Sequence, residues 1–166
     1  EQATHSFGYG LSVTALQLAQ AYAILAADGI HRPVSLLKLD ASPAGERIFT
    51  ADTAKALRRM METVVSAEGT AQRAMVEGYR VAGKTGTVKK SVAGGYAKKR
   101  YQAVFAGMIP AARPRLVMVV MIDEPRGKEY YGGLVAAPVF SRVMSGAMRL
   151  LNVPPDTESL PPARLV

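Results

Sequence analysis

The chain has 166 residues, of which 49% are hydrophobic and 20% are charged, and its net charge is +8. These values are those of a globular protein with a real core, and the length fits one domain or a large part of one. The absence of cysteine excludes a disulfide framework and a thiolate metal site. The longest apolar run, residues 116–122, is far shorter than the roughly 20 residues that cross a bilayer. Because the chain begins at Glu1 without a signal-peptide pattern, we expect a fragment or a processed chain.

The positive charge is concentrated in residues 76–110, where Glu77 is the single acidic side chain. One interpretation is a solvated, solubilising face, and the other is an electropositive wall that attracts an anionic ligand. Nucleic acid is not expected as a partner, because the segment matches no recognisable binding module despite its tyrosines.

Two helices are predicted in the first half of the chain. Thr14 and Gln17 form a capping-box pattern at the start of the first helix, and Gly29 supplies its end. Thr50 is the predicted cap of the second helix, which covers residues 51–67. Between the helices, residues 34–39 and 47–49 are predicted to be two short strands joined by a turn.

A three-stranded antiparallel meander is predicted in the second half. Its strands cover residues 79–88, 101–109 and 116–122, and a Gly- and Lys-rich loop covers 89–100. The last strand is continuously apolar, so we expect it to be central and covered on both faces.

A final helix is predicted to begin near Pro138, with an apolar stripe that includes Phe140 and Met144. Residues 1–153 are predicted to form the packed unit, and the Pro-rich residues 154–166 a mobile tail. The expected fold class is therefore α+β, with an antiparallel sheet packed against helices.

The strongest chemical signal is the sequence Val-Ala-Gly-Lys-Thr-Gly-Thr at residues 81–87, within a predicted strand. Strand alternation puts Lys84 and Gly86 on one face, and Thr85 and Thr87 on the other. A twist or bulge at Gly86 is then needed for Lys84 and Thr87 to approach one cleft. Lys84 would present a positive charge, the threonines would donate hydrogen bonds to a carboxylate, and the Thr87 N–H would face a developing oxyanion.

Three other patterns in the chain resemble known sites only in part. Residues 78–85 match the phosphate-binding Gly-x4-Gly-Lys-Thr literally, but they lie in a predicted strand and no helix can follow Gly86. Ser35 and Lys38 fit Ser-x-x-Lys by chance, because they lie in a predicted strand or turn. His5 and His31 lack the partner spacing of a base or a metal site, so no cofactor or metal is expected.

Segments along nearly the whole chain resemble class B penicillin-binding proteins, and the last resembles the division-specific (septal) type. These segments are residues 7–14, 16–19, 81–87, 105–107, 119–125, 130–133, 137–140 and 152–156. Lys-Thr-Gly is one of the three motifs that mark the penicillin-recognising serine enzymes.

The resemblance implies a partial domain of the penicillin-binding protein and serine β-lactamase-like fold, with peptidoglycan D,D-transpeptidase activity. It implies that Lys84 and Thr87 are catalytic, and that Thr85, Gly86 and Thr87 bind substrate and β-lactams. The loops with Phe7 and Tyr9 and with Tyr130 and Tyr131 are expected to be walls of the acyl-donor cleft.

The resemblance also implies septal cell-wall synthesis at the periplasmic face of the inner membrane. The implied partners are peptidoglycan stem peptides, β-lactams as covalent inhibitors, membrane proteins of the division machinery, and an upstream segment of the same domain. That segment is expected to carry the nucleophile in a Ser-x-x-Lys motif and a Ser-x-Asn motif, because this chain contains no Ser-x-Asn. A serine β-lactamase and a non-catalytic sensing or scaffold module of the same fold remain alternatives.

Overall fold

This computed structural model describes residues 11–92 and 95–157; the predictions for Phe7, Tyr9 and residues 158–166 lie outside that part. The first helix, α1, covers Ala15–Ala26 and has the predicted cap. The Gln17 N–H donates to Thr14 Oγ1 (3.2 Å), and the Thr14 N–H donates to Gln17 Oε1 (2.8 Å). These two hydrogen bonds satisfy N–H groups that a helix leaves unpaired at its start.

The predicted strand at residues 34–39 is wrong. Strands β1, Ile30–His31, and β2, Glu46–Arg47, pair antiparallel, and the residues between them form an exposed connection. The Ser35 hydroxyl donates to the Leu37 carbonyl (2.8 Å) and accepts from the Leu37 N–H (3.1 Å). This local turn competes with a strand ladder.

Helix α2 covers Ala51–Glu62 with Thr50 as its cap, as predicted, but it ends before residue 67. A 3₁₀-helix, Thr63–Val65, follows it, and a second one covers Gln72–Ala74. The Ser66 hydroxyl donates to the Thr63 carbonyl (2.9 Å), so a side chain satisfies a carbonyl that a longer helix would have used.

Strands β3 (Ala82–Val92), β4 (Gly95–Ile109) and β5 (Leu116–Asp123) form the predicted antiparallel meander in the order β3-β4-β5. The predicted loop at residues 89–100 is wrong, because Lys89 still pairs with Tyr101 and the ladder continues into the hairpin. Strand β5 lies at an edge of the described sheet rather than at its centre, and Val120 is its one buried residue. An apolar run indicates that the side chains favour burial, but it does not indicate whether the strand lies at the centre or at the edge of the described sheet.

Helices cover both faces of the sheet. Helix α3 covers Gly132–Val135, and α4 covers Ala137–Leu150 with Pro138 in its first turn, as predicted. On one face Phe140 of α4 packs edge-on against Phe105 of β4, with ring centres 5.0 Å apart. On the other face Ala82 and Met108 pack against side chains of α1 and α2: Tyr22, Leu25, Ala26 and Met61.

The described end of the chain packs against the segment that precedes β3. The Asp156 N–H donates to the Gly78 carbonyl (3.1 Å), and the Asp156 carboxylate accepts from the Arg80 N–H (2.7 Å). The predicted boundary between residues 153 and 154 stays a prediction. Within residues 11–92 and 95–157, no helix has both the length and the apolar character needed to span a membrane.

Candidate active site on the edge of strand β3

The Lys-Thr-Gly-Thr segment lies on β3, which in the described sheet is paired on one side only, with β4. Lys84 pairs with Ala106, Gly86 with Val104, and Thr87 with Ala103 in one continuous register. The bulge expected at Gly86 is therefore absent, and the register shifts instead between Lys89 and Ser91. Lys84 and Thr87 point to opposite faces, so a ligand must bind along the free edge of β3 to reach both.

Lys84 extends from the face of the sheet on which α1 and α2 pack. It shares that face with Ala82, which is in contact with the α1 and α2 side chains. Its side chain is exposed, and its Nζ donates to the backbone oxygen of Thr85 (2.9 Å). The ammonium therefore lies close to the strand, where it can meet an anionic group that approaches the edge.

Thr85 and Thr87 point to the opposite face, where each is bound by a separate segment. Thr85 Oγ1 lies 3.1 Å from Thr70 Oγ1, and Thr87 Oγ1 accepts the N–H of Gly132 (3.0 Å). Because a hydroxyl both donates and accepts, the Thr87 oxygen can accept from Gly132 and still donate its proton to a ligand.

The start of α3 is in close contact with the β3–β4 backbone. A Cβ atom on Gly132 would lie 2.2 Å from the Val104 carbonyl oxygen, and one on Gly133 would lie 1.9 Å from the Thr70 carbonyl oxygen. No side chain fits at either position without a shift of the backbone. Sequence reasoning missed Thr70 and the role of this glycine pair, and the one signal was the Gly-Gly pair after the two tyrosines.

Three tyrosines form a stack beside this contact. The ring centres of Tyr101 and Tyr130 are 4.1 Å apart, and those of Tyr130 and Tyr131 are 4.5 Å apart. The Tyr130 hydroxyl donates to the Tyr131 hydroxyl (3.2 Å), and this bond raises the pKa of Tyr130 to about 12. Tyr131 remains 53% exposed and precedes Gly132 directly. The structure thus brings Tyr130 and Tyr131 next to Thr87, and it adds Tyr101, which was not predicted.

In the described part of the chain, three cations of the basic segment are paired with carboxylates. Arg80 lies 3.4 Å from Glu62 Oε2 and 3.5 Å from Asp156 Oδ2. Lys90 Nζ lies 2.8 Å from both Asp123 Oδ2 and Glu124 Oε1, and an Arg100 guanidinium nitrogen lies 2.5 Å from Glu124 Oε1. Hydrogen bonds from Arg100 and Lys90 lower the pKa of Glu124 to about 2. Lys84 is exposed and is the member of the basic segment that lies at the Lys-Thr-Gly edge.

The alternative patterns are not supported by the geometry. Ser35 lies on the exposed connection between β1 and β2, where its hydroxyl bonds to the backbone of Leu37. His31 Nε2 lies 2.6 Å from Gln20 Nε2, and among the residues that the structure describes no carboxylate bonds to its ring. Residue Gly78 precedes a strand and not a helix, so no phosphate cradle forms. Across the described ranges, no group of three His, Cys, Asp or Glu residues is placed to hold a metal.

The geometry defines an α+β protein whose free strand edge presents an ammonium and two hydroxyls. Residues 1–145 match the family described as "Penicillin binding protein transpeptidase domain". Because the match covers most of the sequence, the chain belongs to the penicillin-binding protein transpeptidase domain family. The predicted family and fold are therefore confirmed.

Individual relatives agree with this assignment. The chain is 46% identical to peptidoglycan D,D-transpeptidase FtsI of Escherichia coli K12 over 94% of this chain and 26% of the relative. It is 48% identical to the probable peptidoglycan D,D-transpeptidase PenA of Neisseria flavescens over 93% of this chain and 39% of the relative. The transpeptidase domain of Burkholderia pseudomallei penicillin-binding protein 3 superposes with a TM-score of 0.88 at 48% identity, over 95% of this chain and 48% of that one. The chain thus spans about a quarter to two-fifths of the curated relatives and about half of the solved domain.

Proposed function

We propose that this chain is part of a peptidoglycan D,D-transpeptidase that cross-links stem peptides through a serine ester. The observation that carries the proposal is the free edge of β3, which has the Lys84 ammonium on one face and the Thr85 and Thr87 hydroxyls on the other. The names of the FtsI and PenA relatives support the same activity.

In the proposed reaction, a serine oxygen attacks a peptide carbonyl of the donor stem, and the terminal amino acid leaves as an amine. An amine of a second stem peptide then attacks the ester, forms the cross-link and releases the serine. Lys84 provides positive charge at the strand edge, and Thr85, Gly86 and Thr87 bind the donor carboxylate. The Thr87 N–H stabilises the oxyanion that forms at the attacked carbonyl. β-Lactams acylate the same serine.

The serine belongs to a segment of the same domain that precedes this chain. Helix α1 has an apolar sequence, yet none of its residues is buried within the described part. A helix that is apolar around its circumference is normally buried, so another segment is expected to cover it. The greater length of the matched relatives supports this source. Because Lys84 lies on the same face of the sheet as α1, the covering segment would bring its serine toward Lys84.

We further propose that the whole protein works in septal cell-wall synthesis, at the periplasmic face of the inner membrane. The FtsI names among the relatives support a role in cell division. Membrane proteins of the division machinery are its proposed partners. Altered β-lactam binding at this site would then contribute to antibiotic resistance.

The test is acylation of the whole protein by a fluorescent penicillin. Replacing Lys84 with Ala should lower the acylation rate by about 100-fold or more, as expected when a preorganised electrostatic group is lost. Lys38→Ala is the matched control, because Lys38 is an exposed lysine on the connection between β1 and β2. Undiminished acylation of Lys84→Ala would contradict the assigned role. Rapid turnover of the adduct would indicate a β-lactamase, and a stable fold that is never acylated would indicate a sensing or scaffold module.

A further inference from the structure

Residues 124–131, which we name the tyrosine loop, connect the end of β5 to α3. Consecutive residues of β4 hold its two ends. Arg100 bonds to the carboxylate of Glu124 (2.5 Å) at the first end, and Tyr101 stacks on Tyr130 (4.1 Å between ring centres) near the second. The Glu124 N–H also donates to the Tyr101 carbonyl (2.9 Å). A two-residue stretch of β4 therefore contacts the loop near both of its ends.

The Glu124 carboxylate connects all three strands at one point. Its Oε1 lies 2.8 Å from Lys90 Nζ of β3 and 2.5 Å from Arg100 of β4, while Glu124 itself directly follows β5. The backbone of Glu124 has φ +48°, in the left-handed region that non-glycine residues adopt uncommonly. Two cations and a backbone hydrogen bond thus fix the residue at which the chain leaves the sheet and enters the loop.

A continuous series of contacts runs from this carboxylate to Thr87 of β3. Tyr101 follows Arg100, stacks on Tyr130, and Tyr130 stacks on Tyr131. The next residue, Gly132, donates its N–H to Thr87 Oγ1 (3.0 Å). A displacement of Glu124 would therefore move the tyrosines relative to Thr87.

We propose that Glu124 is a positioning residue, which places the tyrosine loop against the β3 edge and so sets how tightly the site captures its acyl donor. This inference rests on the proposed function. Glu124 acts through Arg100 and the tyrosines, without contact with the substrate. The side chains of the network are 23% to 53% exposed, and exposed ion pairs contribute little to folding stability. The effect of losing the charge should therefore fall on ligand capture rather than on the fold.

The test uses the whole transpeptidase and the concentration dependence of acylation by a fluorescent penicillin. This dependence separates the dissociation constant of the non-covalent complex from the limiting acylation rate. Glu124→Gln keeps the shape and removes the charge, and it should raise the dissociation constant about tenfold. A tenfold change corresponds to about 1.4 kcal/mol of binding free energy. The limiting rate should change less than twofold.

Three further variants distinguish positioning from a general structural effect. Asp123→Asn removes the other carboxylate on Lys90 but leaves the Arg100–Glu124 pair, so it should stay within twofold of the wild type. Glu124→Asp keeps the charge and suits a left-handed backbone, so it should recover most of the affinity. Arg100→Gln removes the same pair from the other side and should reproduce the effect of Glu124→Gln.

A double-mutant cycle tests the route of the effect. In a Tyr130→Leu background, Glu124→Gln should change the dissociation constant less than twofold, because the element through which Glu124 acts has been removed. If the two substitutions act independently, the positioning role of Glu124 is refuted and the proposed function is not. The same holds if Glu124→Gln is folded and acylated with an unchanged dissociation constant. A wild type that is not acylated at all would instead refute the proposed function.

Discussion

Replacement of Gly132 by Ala should break the contact between α3 and the candidate site. The new Cβ atom would lie 2.2 Å from the Val104 carbonyl oxygen and 2.8 Å from that of Gly86, and contacts under 3.0 Å force a shift. Overpacking of this kind costs about 1–3 kcal/mol. The same shift would weaken the hydrogen bond from the Gly132 N–H to Thr87 Oγ1, which contributes about 1 kcal/mol. The expected loss of folding free energy is therefore about 2–4 kcal/mol.

Urea unfolding of the complete transpeptidase domain measures this loss. Gly146→Ala is the matched control, because Gly146 lies within α4 and its added Cβ meets nothing within 4 Å. That control should gain about 0.5–1 kcal/mol, the usual advantage of Ala over Gly in a helix. If Gly132→Ala unfolds at the same urea concentration as the wild type, the close docking of α3 on β3 and β4 is refuted.

Two further predictions concern charged side chains. Arg58→Met should cost about 2 kcal/mol of folding free energy, because buried Arg58 donates to the Leu25 carbonyl (2.6 Å) and to Asp28 (2.8 Å). Arg59 is exposed, so Arg59→Met should cost under about 0.5 kcal/mol in the same urea titration. Equal costs would contradict this role for Arg58. The pKa of Glu124 is lowered from 4.5 to about 2, so its contribution to stability is present above about pH 4.5 and is lost as the pH falls toward 2. Because the ion pairs are exposed, this contribution is small. Between pH 5 and pH 3 the urea midpoint should therefore fall only slightly less in Glu124→Gln than in the wild type, and a larger fall in Glu124→Gln would count against this ion pairing.

The elements that were predicted correctly depend on short-range rules. The Thr14 and Gln17 cap acts over three residues, and a strand through Lys84 follows from the residues on either side of it. The meander order follows from short connections between strands.

The errors arose where distant residues decide the structure. Residues 89–100 have the composition of a loop, but the ladder between β3 and β4 continues through them. Lys90 and Arg100 bond to carboxylates that lie more than 20 residues away in the sequence. Residues 34–39 have strand-like side chains, but no strand of the described ranges pairs with them.

The candidate site shows the same division between local and distant information. The motif identified Lys84, Thr85 and Thr87, but the contact of Thr87 with Gly132 spans 45 residues and that of Thr85 with Thr70 spans 15. No local pattern specifies which distant backbone will meet a given hydroxyl. A pair of glycines becomes informative only when the fold places a carbonyl oxygen where each Cβ would be.

Locating the acylated residue tests most directly whether Lys84 serves a nucleophile supplied by another segment. The whole protein would be treated with penicillin, digested, and examined by peptide mass spectrometry, in the wild type and in Lys84→Ala. We expect a penicilloyl group on a serine outside these 166 residues, and its loss or strong reduction when Lys84 is replaced. An adduct on a serine of this chain, such as Ser35, or full labelling of Lys84→Ala would contradict this expectation.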